Sequence, residues 1–471
     1  MVASTSAVRA SDAIDPGAIR SILESNRVAD RVKVRECLAR ARSLAGLTPE
    51  ETAVLMSAED PELVREIFDA ARYVKDEIYG RRLVLFAPLY YSNYCSNNCL
   101  YCGFRRDNPQ PRRQLTLEEV EQETRCLIDQ GHKRVLVIAG EDNRQSSFRY
   151  LLDVIERVYQ VRSGRGEVRR VNVEMAPMTV EEFRQLLSMK IGTYVLFQET
   201  YDPEVYRAMH PTGPKADYRN RLDAMDRAME AGINDVGIGS LLGLNDWRFE
   251  VLAMLFHARH LDARFGAGPH TISVPRMEPA ACAPVTLNPP SPVSDTDFKK
   301  LVAIVRLAVP YTGIILTTRE SAAMRGQLFD LGISQISAGS RTSPGGYAEQ
   351  EAGQENIAQF SIGDRRSLDE VIADVVAHGY IPSFCTGCYR LGRTGKDFMD
   401  LAKPGLIRAH CLPNALSTFE EYIQDYATPS TAELGERVVV QMLERDVPAD
   451  IRPWVRTVLD RIRKGERDIY F

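Results

Sequence analysis

No apolar run in the 471 residues approaches the roughly 20 residues needed to span a bilayer. No long basic run interleaves with aromatic residues, and the formal net charge is −5. Neither nucleic acid nor an anionic membrane surface is therefore expected as a partner. The N-terminus, MVASTSAVRASDAIDPGAI, lacks an apolar signal core. Its Ala/Ser bias is offset by one Arg and two Asp, so it reads as a frayed end rather than a transit peptide, and the expected location is cytoplasmic. There is no internal repeat beyond an alternation of strands and helices. An evenly spread disulfide framework is also missing. The cysteines number nine, an odd count, at positions 37, 95, 99, 102, 126, 282, 385, 388 and 411. Six of them form two groups, which in a large chain without an export signal points to metal or redox chemistry. Cys37, Cys126 and Cys282 read as buried apolar thiols.

What is present is an ordinary globular composition, 44% hydrophobic and 26% charged, long enough for two or three domains or one large barrel with attachments. Residues 18–80 read as helices. In LTPEE, Thr48 is an N-cap, Pro49 takes the first helical position and Glu51 closes a capping box; Gly80 stops the helix that follows. From residue 81 apolar runs alternate with amphipathic helices. The runs are 83–92, 134–141, 170–176, 193–200, 235–244, 271–279, 312–320 and 332–341. Thr116 with Glu119, and Thr179 with Glu182, cap two of the helices, with Gly131 and Gly192 as stops. Near-continuous apolar strands, each followed by a helix, predict a parallel sheet covered on its outer face. Eight units predict an α/β fold of the (β/α)8 TIM-barrel type; a doubly wound open sheet is the alternative. The expected division is an N-terminal helical segment (1–80), a barrel (81–345) and a mostly helical C-terminal domain holding an Fe–S cluster (346–471).

The strand ends are unusually polar: YYSNYC, AGED, FQET, PRMEP, TTRE and AGSR. Both barrels and open α/β sheets bind ligands there. Directly after the first strand come Cys95, Cys99 and Cys102, spaced C-x3-C-x2-C. Structural zinc takes four ligands. Three thiolates this close suit one Fe–S cluster with an iron left open. With aromatic Tyr101 before the last cysteine, this motif resembles the radical S-adenosylmethionine (SAM) signature. The resemblance implies a 4Fe–4S cluster whose open iron chelates SAM, and a 5′-deoxyadenosyl radical made on reduction. It also implies that Gly140 and Glu141 of AGED meet the SAM ammonium, that Gln198 and Thr200 of FQET face the ribose, and that Arg221 pairs with the SAM carboxylate.

The second group, Cys385, Cys388 and Cys411, is spaced C-x2-C-x22-C outside the barrel. Gly387, Gly392 and Gly395 would let backbone approach a cluster, and Arg390 and Arg393 would balance its charge. Zinc is the alternative, with His410 as a fourth ligand. The stretch CTGCYRLGRTGKDFM…CLPNAL, together with TYVLFQETYDPEVYRAMHPTGPKADY, GPHTISVPR and ISQISAGSRT, resembles the HydG family, the radical SAM tyrosine lyases of FeFe-hydrogenase maturation. The family usually has Ala where Gly387 stands, and GEDNRQSSFRY and RMEPAACAPVTLNPP depart from its pattern.

The resemblance implies cleavage of L-tyrosine to p-cresol and dehydroglycine, and then to carbon monoxide and cyanide. It implies a second C-terminal Fe–S cluster with an additional iron, His270 as a ligand to that iron, and free L-cysteine as a further ligand. The implied partners are a reductant such as a ferredoxin or flavodoxin and a hydrogenase maturation scaffold protein. A buried tyrosine carboxylate needs a cation, and Arg319 is the first candidate, with Ser340 and Arg341 next. Two other readings stand beside this one. One is a tyrosine lyase of the ThiH class making dehydroglycine for thiamine thiazole synthesis; the other is an Fe–S carrier without radical chemistry.

Overall fold

The computed structural model describes residues 8–349 and 357–471. The frayed-end reading of the first 19 residues is corrected where the structure describes them: Ala10–Ala13 and Pro16–Ser25 are helices, with Ala10, Ile14 and Ile19 buried. Residues 1–7 and part of the polar stretch after 345 lie outside the described residues.

Eight parallel strands form the sheet: β1 (Arg82–Ser92), β2 (Arg134–Ala139), β3 (Arg170–Glu174), β4 (Tyr194–Val195), β5 (Val236–Gly239), β6 (Thr271–Ser273), β7 (Gly313–Leu316) and β8 (Gln335–Ser337). Each pairs with the next, and β8 returns to β1 through Val84–Gln335, Leu85–Ile336 and Phe86–Ser337. The sheet is thus a closed barrel, not the open alternative. A ninth strand, β9 (Ile381–Ser383), pairs with Arg82–Val84 of β1. It has three residues and a central Pro382, too little signal to read from sequence. Val84 pairs with Gln335 on one side and Ser383 on the other. β9 therefore occupies, at the base of the barrel, the same edge of β1 that β2 takes from Ala87 upward.

The capping signals act as read. Thr48 with Glu51, Thr116 with Glu119 and Thr179 with Glu182 form reciprocal capping boxes, and so do Ser367 and Glu370. One stop differs. The helix Val180–Ser188 ends through Lys190, which takes the left-handed backbone (φ 56°), and not through Gly192. Gly192 has another duty: a Cβ there would lie 2.2 Å from Nε of Arg170 and 2.3 Å from Oδ1 of Asn172.

The N-terminal helices pack on the barrel helices Trp247–Phe265 and Asp295–Ala308. Buried Lys300 reaches across to donate to the carbonyls of Met56 and Ala58 (2.6 and 2.5 Å), a cation at a helix C-terminus. C-terminal to β9 the chain is mostly helical, with Arg408–Asp425 packed on β9 and on the helix Arg452–Arg463.

Side chains alternate along the strands, so every second residue faces the barrel axis. The inward set is Arg82, Val84, Phe86, Pro88 and Tyr90 on β1; Arg134, Leu136 and Ile138 on β2; and Arg170, Asn172 and Glu174 on β3. Ordinary barrels fill this space with branched apolar residues. Here Asn172, Thr193, Thr271, Ser273, Gln335 and Ser337 help to line an open central cavity.

Arg306 shows how the wall is held shut at the base. It is fully buried, and its guanidinium donates to the carbonyls of Pro310 (2.7 Å), Thr312 (2.8 Å) and Gly332 (2.7 and 3.1 Å). It ties the turn before β7 to the turn before β8. Arg306→Met keeps much of the volume but leaves three buried carbonyls without a donor, each worth about 1–3 kcal/mol. The expected outcome in thermal unfolding is a fall in Tm of at least about 5 °C; a shift below one degree would show that these bonds are dispensable.

Candidate functional site

Two side-chain constellations occupy the two ends of the barrel axis. The upper one grows from the end of β1. Arg112 organises the loop that follows: its guanidinium donates to the carbonyls of Asn93, Phe104, Arg105, Arg106 and Asn108. The loop is stitched to the end of β2 by Ser96 N–H donating to Glu141 O (2.9 Å). Gly140 is required there, because a Cβ would lie 2.2 Å from Tyr94 O and 3.2 Å from Cys95 Cβ.

Cys95, Cys99 and Cys102 line one cavity together with Glu141, Lys215 and Arg221. Burial above all, with neighbouring carboxylates or thiols adding to it, pushes all three cysteines up to about 12. They are thiols until a metal displaces their protons. The wall opposite carries alternating buried charges. Arg221 donates to Glu141 at 2.9 Å, Asn97 Nδ2 donates to Glu141 at 2.7 Å, and Lys215 Nζ meets Glu199 at 2.6 Å. Burial works to raise Glu141, yet Arg221 and then Lys215 hold it below the usual carboxylate range. Such a wall fits a ligand that brings both an ammonium and a carboxylate, and three thiols beside it fit a cluster with one iron left for that ligand.

Tyr101 is fixed by a residue the sequence reading missed. His210 Nδ1 lies 2.7 Å from the carbonyl of Tyr206, which can only accept, so Nδ1 carries the proton. Its Nε2 then accepts from the Tyr101 hydroxyl at 2.7 Å.

FQET is corrected. The inward positions of this segment are Thr193, Val195, Phe197 and Glu199, and alternation turns Gln198 and Thr200 away. Gln198 Nε2 is directed to Tyr218 O (3.5 Å), and the Thr200 hydroxyl donates to buried Glu250 (2.6 Å). Glu199, in left-handed backbone (φ 71°), is the residue that reaches the cavity. Period-two counting from Thr193 would have found it.

The cluster cavity opens into the central cavity; Tyr101, Cys102, Ile138, Glu174, Glu199 and Gln359 line both. Burial, and next Glu199, pushes Glu174 up to about 7. Arg319 is half-buried in the wall of the central cavity, with its guanidinium 3.3 Å from the centre of the Phe360 ring. Ser340 lies there too, its buried hydroxyl without a hydrogen-bond partner among the described residues. Arg341 is not in this wall: its Nη1 donates to Ser340 O (3.1 Å), and its Cβ lies where a side chain at Gly346 would need to be. Gln359 and Phe360 belong to the stretch read as polar loop. Its return roofs the cavity, with Gly103 N–H donating to Gln359 O and Tyr90 O–H to Gln359 Oε1.

The lower constellation sits where β9 meets the base of the barrel. Cys385, Cys388, Cys411 and His270 line one chamber, and Gln335 separates it from the central cavity, lining both. Burial first raises Cys388 to about 12 and lowers His270 to about 4. Among the described residues no three His, Cys, Asp or Glu side chains are grouped as a single ion would need. Thiols arrayed around a chamber suit a polynuclear cluster. His410, the fourth ligand of the zinc alternative, is turned to Arg393 instead (3.0 Å).

The balancing cations are also not those expected. Arg390 pairs with Asp468, and Arg393 with His410 and the carbonyl of Phe471. The chamber is lined instead by Arg82, Arg134 and Arg170, the first residues of β1, β2 and β3. Of the lone cysteines, Cys37 is buried, Cys126 half-buried and Cys282 exposed with φ 54°, so the buried-thiol reading holds only for the first.

Residues 89–256 match the family model of the Radical SAM superfamily, and residues 273–381 that of the Biotin and Thiamin Synthesis associated domain. Among solved structures the chain is similar to HydG, a maturase of the FeFe-hydrogenase, at 50% identity with a TM-score of 0.94, covering 98% of this chain and 100% of that one. It is similar to the FeFe-hydrogenase maturase HydG from Carboxydothermus hydrogenoformans at 39% identity and TM-score 0.83, covering 96% and 100%. It is 28% identical over 358 residues to the 2-iminoacetate synthase of Escherichia coli (strain K12), 76% of this chain and 92% of that one.

The stitch at Gly140 yields a test of the upper site. Gly140→Ala drives a methyl group into Tyr94 O and displaces the cysteine loop. The expected result is a folded protein that loses iron from the upper site, read as iron per chain and by electron paramagnetic resonance of the reduced clusters. Unchanged loading would mean that the loop tolerates the shift.

Proposed function

The chain belongs to the HydG family of radical SAM enzymes, and from that membership we propose that it splits L-tyrosine between Cα and Cβ for FeFe-hydrogenase maturation. When bound, a 4Fe–4S cluster with SAM would supply hydrogen-atom abstraction by a 5′-deoxyadenosyl radical, the chemistry that splitting tyrosine into p-cresol and dehydroglycine calls for. This chain's residues orient and enclose. Cys95, Cys99 and Cys102 hold the cluster, with Tyr101 packed beside them. Gly140 and Glu141, with Lys215 and Arg221, hold the polar end of SAM. Arg319, stacked on Phe360 and half-buried, takes the tyrosine carboxylate, with the Ser340 hydroxyl beside it. Gln359 and Phe360 keep water out, which a carbon radical requires.

In the same reading Cys385, Cys388 and Cys411 hold a second cluster. Its cargo is an additional iron on His270 and free L-cysteine, loaded with carbon monoxide and cyanide from dehydroglycine. A ferredoxin or flavodoxin donates the electron, and a maturation scaffold protein receives the product. The division into 1–80, 81–345 and 346–471 belongs to this reading, with β9 joining the last part to the barrel.

One observation carries the proposal: a single barrel axis has three thiols at each end and, between them, a cavity whose mainly apolar wall carries a few hydroxyl, amide and charged side chains. Resemblance to 2-iminoacetate synthase favours a ThiH-type lyase as the second reading, but that activity has no use for the lower chamber. A bare Fe–S carrier has no use for the charged upper wall.

The deciding experiment gives reconstituted protein SAM, dithionite and tyrosine; p-cresol together with carbon monoxide is expected, and p-cresol alone would favour the ThiH-type reading. Replacing Cys95, Cys99 and Cys102 by Ala should abolish both 5′-deoxyadenosine and p-cresol. In the double variant Cys385→Ala, Cys388→Ala, p-cresol should persist while the infrared bands of iron-bound carbonyl and cyanide disappear. Arg319→Ala removes a charge-assisted bond worth about 1.5–3 kcal/mol. The tyrosine requirement should then rise about ten-fold or more; an unchanged requirement would move the carboxylate partner elsewhere.

A further inference from the structure

Among the described residues the carboxylates lining the central cavity are Glu174, Glu199 and Glu278, and each stands differently. Glu199 is committed: Lys215 Nζ lies 2.6 Å from it and Arg221 Nη2 3.9 Å. Glu278, beyond β6, lines the central cavity alone, in the field of Arg319 and Glu320. Glu174, the last residue of β3, lines both the central cavity and the cluster cavity. No donor among the described residues lies within hydrogen-bond distance of its carboxylate.

Glu174 therefore stands in the passage between the two cavities as a carboxylate without a fixed partner. The cations that face it are engaged elsewhere. Lys215 bonds to Glu199, Arg221 bonds to Glu141, and Arg319 is stacked on Phe360. Tyr90 of β1 also faces it, and its hydroxyl donates to Gln359 (2.7 Å). Tyr101 and Cys102 complete the titratable groups of the shared wall. Burial first, and then Glu199, pushes Glu174 up to about 7, against the pull of Lys215, Arg221 and Arg319. A shielded carboxylate in this state gains from a cationic ligand, and a base poised near the working pH suits proton transfer.

The proposed reaction needs such a group. Tyrosine enters as an ammonium with three hydrogens on nitrogen, and the dehydroglycine left after Cα–Cβ cleavage is an imine with one. One of the two that leave is the hydrogen atom taken in the proposed radical chemistry. The other has to leave as a proton, because an ammonium has no lone pair from which to build a C=N bond. With its carboxylate on Arg319, tyrosine must hold its amino group in the passage for that hydrogen to be reached from the cluster cavity.

We propose that Glu174 is a catalytic residue of the lyase: it seats the tyrosine ammonium and takes one proton from it, the carboxylate becoming a carboxylic acid as the ammonium becomes an amine. The inference rests on the proposed function for the identity of the substrate.

Binding is read without turnover, on protein carrying both clusters, with SAM and no reductant. Calorimetry compares L-tyrosine with 3-(4-hydroxyphenyl)propionate, which is tyrosine without its amino group. The unaltered protein should bind the amino-free acid at least about ten-fold more weakly. E174Q should weaken tyrosine by about that factor and leave the amino-free acid within about two-fold, so that the preference disappears. E278Q should keep the preference. Turnover then reads the proton. Near pH 7 and at saturating tyrosine, E174Q should make p-cresol at least about 100-fold more slowly. Its residual rate should climb about ten-fold per pH unit as neutral amine becomes available, a rise absent from the unaltered protein. E174D should recover part of the rate without that rise. An unchanged rate or pH profile in E174Q overturns the assignment, as does a preference lost in E278Q and kept in E174Q. Equal affinity of the unaltered protein for the two acids also overturns it, and that comparison decides even if E174Q fails to hold its clusters. If the unaltered protein shows the preference but makes no p-cresol, the proposed function fails and the ammonium seat stands.

Discussion

The hydrogen bonding of β1, to β8 and β9 at its lower end and to β2 at its upper end, is the constraint on which the rest depends. Its upper half pairs with β2 and delivers the loop of Cys95, Cys99 and Cys102; its lower half pairs with β8 and β9, and β9 leads within two residues to Cys385. One extended strand, at about 3.3 Å per residue, thus fixes the spacing of the two thiol groups. A loop-mounted second group would drift relative to the first. A strand paired on both sides cannot slip without breaking two ladders at once, so the shared axis of the cavities is built into the sheet register.

The two ends solve the cost of buried charge differently. At the top, carboxylates and cations come from several segments and satisfy each other: Glu141 with Arg221, Glu199 with Lys215. At the base, arginines face thiols, and among the described residues Asp235 is the carboxylate that stands near. The upper wall is neutral in itself and suits a ligand of mixed charge. The lower wall is cationic until filled. Between them the small hydroxyl and amide side chains leave the axis open, so the barrel takes its stability from its outer shell: buried Arg306 and Lys300, and the N-terminal helices.

Much of this was legible in the sequence. Eight apolar runs gave the eight strands, Thr-x-x-Glu boxes gave helix starts, and the cysteine spacing gave the upper site, because these signals are local. The misses have physical reasons. β9 is three residues long and is a strand only because β1 offers it an edge. Gln198 and Thr200 were chosen from a motif, where counting alternate residues selects Glu199. Arg82, Arg134 and Arg170 each open a strand and look like solvated flanks; only barrel closure gathers them. Gly192 looked like a helix stop, while its missing side chain makes room for Arg170. Gln359 and Phe360 gave no sign in sequence that a polar loop would return as a roof.

The pairing of β9 with β1 also sets an order of events during synthesis. The strand that completes the base is the last of the nine to leave the ribosome, and the helix carrying Cys411 follows it. The cysteine loop at the top is made early and can be framed by β1 and β2 as soon as they pair. Until β9 arrives, the lower edge of β1 stays bare, with unpaired backbone groups of the kind that invite wrong partners. The loop of Cys95, Cys99 and Cys102 can therefore be framed on a growing chain, whereas the lower thiol group is gathered only after β9 and the helix Arg408–Asp425 have been made.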